Sequence, residues 1–116
     1  MKFTPSQDGY LWRVAIRFSG KIGSPAPAVI AIQEDVGGAP SGVDLEISSK
    51  DTSLINADYA WNYFEFSGFI LLSRGRPYWL IARSLGVVGN YYLIQWSGMK
   101  YLWEDYSPWL LQYEPS

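Results

Sequence analysis

At 116 residues the chain is the size of one domain, able to bury about two-thirds of its unfolded surface without covalent or metal staples. It contains no cysteine and no histidine, which excludes a disulfide framework, thiolate or imidazole metal ligation, a cysteine nucleophile and a Ser–His–Asp triad. A formal net charge of −2, with both signs scattered, lacks the basic footprint of a nucleic-acid or anionic-membrane binder.

The first residues, Met1 to Asp8, lack the apolar run of a signal peptide, and no apolar run reaches transmembrane length, so no membrane insertion is expected. Lys2-Phe3 reads as a short edge strand before the turn Thr4 to Gly9. Leu11 to Ser19 then alternates strictly, with Trp12, Val14, Ile16 and Phe18 on one face and Arg13, Ala15, Arg17 and Ser19 on the other. Gly20 to Pro27 is a loop kept extended by two prolines. Ala28 to Glu34 is the next strand, and Asp35 to Gly42 a turn cluster. Val43, Leu45 and Ile47, alternating with Asp44, Glu46 and Ser48, predict a strand with one wet face.

Asp51 to Ala60 has no period and reads as a crossover loop with one helical turn. In Trp61 to Phe66, Asn62, Phe64 and Phe66 oppose Trp61, Tyr63 and Glu65. An apolar run, Phe69 to Leu72, is broken by Ser73-Arg74-Gly75-Arg76-Pro77, where Gly75 can take positive φ and Pro77 is fixed near −65°. Tyr78 to Arg83 follows, with Tyr78, Leu80 and Ala82 opposite Trp79, Ile81 and Arg83. An arginine on one face of an otherwise apolar strand implies half burial, and a second layer over the Tyr78 face. Leu85 to Asn90 is a glycine-rich turn, Tyr91 to Ser97 a strand, Gly98-Met99-Lys100 a hairpin turn, and Tyr101 to Trp103 and Trp109 to Tyr113 the last two strands. Eight or nine short strands, turns about every ten residues and no amphipathic helix predict a single all-β domain over 1–116, an antiparallel two-sheet β-sandwich or jelly roll.

Phe3-Thr4-Pro5, Gly23-Ser24-Pro25 before Val29 to Gln33, Gly38-Ala39-Pro40-Ser41-Gly42, Tyr59 to Phe66, Leu72 to Leu80 and Asn90-Tyr91-Tyr92 stand in a familiar order. They resemble a jelly-roll β-sandwich family of secreted bacterial and phage-associated surface proteins, similar to carbohydrate-binding modules. The resemblance covers about residues 3 to 97, consists of turn and core positions, and implies fold more than chemistry. It implies an extracellular, cell-surface or virion location. Met99 to Ser116, short and Trp-rich, departs from the pattern.

The acidic pairs Glu34-Asp35 and Glu104-Asp105 sit in strands or turns where neighbouring carboxylates diverge, so no catalytic residue, and no enzyme, is expected. No metal and no cofactor is expected either; Asp35 and Asp44 are oxygen donors without an EF-hand spacing. The chemistry lies in the aromatics, which at 17% exceed what so small a core absorbs. Trp61, Tyr63 and Trp79, with Arg83, have the strand phase opposite to the core and would form one strip if their strands are neighbours. Tyr101, Trp103, Tyr106 and Trp109 form a second set around the last turn. Rings that stack on sugar C–H faces, beside donors to hydroxyls, predict a non-catalytic adhesion module with a glycan ligand. The competing expectation is a virion or filament subunit that self-associates, or joins other surface subunits, through the same aromatic faces.

Overall fold

Period-two patterning is realised as strands almost throughout the computed structural model, which describes residues 1–6, 8–23, 25–67, 70–84, 91–94, 104–106 and 109–115. The strands are β1 (Lys2–Phe3), β2 (Gly9–Ile22), β3 (Ala28–Val36), β4 (Ala39–Lys50), β5 (Ala60–Glu65), β6 (Leu71–Leu72), β7 (Tyr78–Ser84), β8 (Tyr91–Ile94), β9 (Glu104–Tyr106) and β10 (Trp109–Pro115). A single 3-10 turn, Thr52–Leu54, sits in the predicted crossover loop. The predicted turns at 85–90 and 98–100 and the strand at 101–103 lie outside the described residues.

Two antiparallel sheets result. The first has the order β1-β7-β3-β4; the second is built on β2, with β5 and β6 along one side and β10 and β8 along the other, β9 extending β10. The pairs are nested in sequence: β3 pairs β4, β2 pairs β5 around them, and β1 pairs β7 around both. Successive pairs alternate between the sheets. Between the sheets lie Val14, Ile16, Phe18 and Phe64 from one and Ile30, Ile32, Tyr78 and Leu80 from the other, all buried. Tyr78 keeps its ring in this core, 5.9 Å from that of Phe3, while its hydroxyl accepts from the Ser73 amide at 3.0 Å.

The strand faces follow the sequence where the ladders are unbroken. On β5, and just past its end, Asn62, Phe64 and Phe66 are buried while Tyr63 and Glu65 are exposed, as the alternation predicts. On β7, Tyr78 and Leu80 are buried, whereas Ala82, expected on the same face, is exposed. The faces depart from expectation at bulges. In β2 the core takes Leu11 and then Val14, a spacing of three, because the register against β10 shifts between Gln112 and Tyr113. Leu11 pairs with Tyr113 and Arg13 with Gln112, so Trp12 is the extra residue and leaves the Val14 face.

The β3–β4 hairpin narrows the predicted turn cluster to two residues. Val36 pairs with Ala39, and Gly37 and Gly38 between them have φ of 61° and 89°, the pair of positive values that a type I′ turn requires. Register shifts at Ile32/Gln33 and Gln33/Asp35 then break the predicted Val43-Leu45-Ile47 face. Leu45 packs against the core, whereas Val43 and Ile47 are 67% and 50% exposed.

Candidate functional site

β7 is an inner strand of the first sheet and β5 the terminal strand of the second. Trp61 and Tyr63 therefore stand on one outer face of the sandwich and Trp79 and Arg83 on the other. The structure does not join the four residues into a strip; their strands are not neighbours. Tyr101 and Trp103 lie outside the described residues, and Tyr106 and Trp109 are register partners across β9 and β10.

On the Trp79 face the polar groups are engaged within the domain. The Trp79 indole Nε1 donates to Asp35 Oδ1 at 2.8 Å, and Lys2 Nζ lies 3.7 Å from the same oxygen. Arg83 binds Asp44 two-pronged, Nη1 to Oδ1 at 3.1 Å and Nη2 to Oδ2 at 2.6 Å. Because β3 lies between β7 and β4, this pair crosses the central strand. It spans Ala31 and Gln33, both buried although they face away from the core. Gln33 completes the bridge, its Nε2 donating to Asp44 Oδ1 at 2.9 Å while its Oε1 accepts from the Gly42 amide at 2.9 Å. The guanidinium predicted to meet a ligand is thus a strap across its own sheet.

Arg83 first, and the Gln33 amide second, hold the Asp44 carboxyl below the usual carboxylate range. Trp79 does the same for Asp35. A depressed folded value contributes stability that is present above the unfolded value of about 3.9 and lost as pH falls through the folded one. Asp44→Asn should therefore flatten the acid limb of the stability profile below about pH 4, by no more than about 1 kcal/mol for a pair this exposed. Urea melts of both proteins from pH 6 to pH 2.5 check it; parallel acid limbs would show the strap to be electrostatically inert.

The other outer face is built from β2 and β5, where Arg17 pairs with Trp61, Ala15 with Tyr63 and Arg13 with Glu65. The Arg13 guanidinium lies 4.5 Å from the ring centres of both Trp12 and Tyr63, and that of Arg17 lies 5.7 Å from Trp61. Such stacks are worth about 0.5–1 kcal/mol each at exposed sites and fix the rings in place.

β4 ends the first sheet and β5 the second, and a cleft of about 350 Å³ opens between these two edges. Ser48, Ser49 and Lys50 line it from β4, Tyr63 and Glu65 from β5. Ser67 Oγ donates to Glu46 Oε1 at 3.2 Å across the same gap. Lys50 Nζ sits 5.7 Å above the buried Phe64 ring, covering the core edge. Among the described residues neither the Lys50 ammonium nor the Glu65 carboxylate has an ion-pair partner, whereas Lys2, Arg76 and Arg83 are each paired. The cleft thus presents a phenol ring, two hydroxyls, an ammonium and a carboxylate.

Of its lining, the sequence pointed to Tyr63. Ser48, Ser49 and Lys50 read as the polar end of a strand, since nothing local shows that β4 is an edge facing β5.

Fold and cleft define an all-β, two-sheet domain with an open polar site where the sheet edges meet. Comparison with protein-family models, with curated proteins and with solved structures finds no match.

Proposed function

We propose that the domain is a non-catalytic, jelly-roll-type binding module of a cell surface or virion, and that its edge cleft contacts carbohydrate. The nested, sheet-alternating pairs β3–β4, β2–β5 and β1–β7 support the topology, because a jelly roll is a long hairpin rolled so that successive pairs fall in opposite sheets. The resemblance of the turn and core residues to secreted and phage-associated surface modules supports the location.

One observation carries the functional reading. The Tyr63 ring, 40% exposed and backed by Arg13, lines the cleft together with the Lys50 ammonium and the Glu65 carboxylate, neither of which has an ion-pair partner among the described residues. A pyranose offers an apolar C–H face to the ring and hydroxyls that both accept from Lys50 and donate to Glu65. Among the described residues no hydrogen bond joins the Ser48 or Ser49 hydroxyl to Lys50 or Glu65, which favours binding over reaction.

A printed glycan array identifies the oligosaccharide, and titration with the strongest binder, followed by tryptophan fluorescence, measures it. Tyr63→Ala should weaken binding by about tenfold or more, a loss of about 1.4 kcal/mol. Trp79→Ala, on the far face, should leave it unchanged. Silence across the array, or equal losses from the two variants, would refute the assignment.

A further inference from the structure

Trp61 and Tyr63 lie on the opposite side of the sandwich from Trp79, so these three rings do not make one face for self-association. The terminal strand β4 offers another route. Among the described residues nothing pairs with its outer side, so that edge leaves backbone donors and acceptors open to a further strand. Its first half is disturbed by two register shifts, the irregularity by which natural edges avoid pairing. The second half has no register shift: Glu46 to Lys50 run in unbroken register against Ile32 to Ala28, and Ile47 is 50% exposed.

We infer that this segment pairs antiparallel with the same segment of a second copy, about a two-fold axis at Ser48. The charge pattern selects that register. With Ser48 opposite itself, Ile47 faces the partner's Ser49, and Glu46 faces the partner's Lys50 twice per dimer. Glu46 and Lys50 share a face of β4, since both stand in register with core-facing residues of β3, Ile32 and Ala28. A two-fold contact of this kind is self-complementary and closes at two copies. It continues the first sheet from one copy into the other. In the dimer the Lys50 ammonium donates to the partner's Glu46. Ser48, Ser49 and Lys50 also line the cleft, so a paired strand and a cleft ligand would compete for this edge, and the dimer is measured without ligand.

A contact of one strand pair is at the small end of specific interfaces, so the dimer should appear at concentrations on the order of 100 µM. Sedimentation equilibrium of the wild-type chain in that range should report twice the 13.2 kDa mass. Glu46→Lys and Lys50→Glu should each weaken the dimer about tenfold, and the double exchange should restore it, as expected when two opposed pairs become like-charged and then opposed again.

The register is read separately by a single thiol, since the chain has no cysteine. Directly opposed antiparallel residues lie about 4.5–5.5 Å apart at Cα, inside the range a disulfide spans. Ser48→Cys should therefore cross-link to a covalent dimer under oxidised glutathione much faster than Ile47→Cys or Ser49→Cys. Restoration by the double exchange, with selective linkage at 48, establishes the contact. A monomer at every concentration, a dimer indifferent to charge reversal, or equal linkage at 47, 48 and 49 would overturn it.

Discussion

Phe64→Ala should cost about 3–5 kcal/mol, a large part of the roughly 5–15 kcal/mol that holds a domain of this size folded. The ring is 1% exposed and lies 6.3 Å from that of Phe18 at a 47° tilt, on the buried face of β5 opposite the β2 core residues. Truncation forfeits the transfer of the ring from water and leaves a cavity that two sheets pinned by their ladders cannot close. The next residue is the control. Tyr63 has the same backbone and the opposite face, so Tyr63→Ala should change stability by no more than about 1 kcal/mol, mostly the lost stack with Arg13. Urea denaturation of the two variants separates them. Similar losses would mean that Tyr63 is part of the core, and a loss below about 2 kcal/mol for Phe64→Ala would mean that the sheets repack. This pair also protects the functional test, because weaker sugar binding by a folded Tyr63→Ala protein is a loss of contact and not of structure.

That contrast was legible in the sequence because β5 runs unbroken against β2, and in an unbroken ladder parity decides which face each side chain takes. Where the structure inserts a bulge, parity misleads. Trp12 reads as a neighbour of Val14, but the irregularity sits in the pairing with β10, about a hundred residues along the chain, and shifts the phase at that point. β4 fails twice for the same reason, and only Leu45 of its apolar triplet reaches the core. The site was legible to the same limited extent. Phase found Tyr63 as an outward ring, yet composition could not show that Trp79 belongs to a different sheet. Arg83 looked like a free donor because its partner, Asp44, is 39 residues away and meets it only across a folded β3. The cleft itself is a product of topology: two sheets whose terminal strands are β4 and β5 bring Ser48, Ser49 and Lys50 to Tyr63 and Glu65.

Asn62 is the polar residue that the alternation places on the apolar face of β5, and it is indeed 5% exposed. Its reason lies in the loop before it. Asn62 Oδ1 accepts from the Asn56 amide at 2.8 Å, and its Nδ2 donates to the carbonyls of Asn56 at 2.7 Å and Ala60 at 3.0 Å. The side chain therefore acts as a short strand for Asn56, whose own Oδ1 accepts from the Asp58 amide at 3.0 Å and tightens the turn. This bracing holds Tyr59 at φ 55°, a left-handed conformation that costs a non-glycine residue about 1–2 kcal/mol. The carbonyl of Tyr59 in turn accepts from Arg17 Nε at 3.1 Å. Asn62→Ala leaves one amide and two carbonyls without partners in a part-buried place, and should cost about 2–4 kcal/mol. Asn62→Asp is the sharper variant. It keeps the acceptor for Asn56 but turns a bare carboxylate oxygen on two carbonyls, so burial and repulsion raise its folded pKa above the unfolded value. A raised acid favours folding when protonated, so the penalty of Asn62→Asp relative to the wild type should be largest at pH 7 and shrink as pH falls through that raised value. Urea melts of both proteins at pH 7 and pH 4.5 give the comparison. A penalty independent of pH would place the 62 side chain in water, and with it the loop that carries Tyr59.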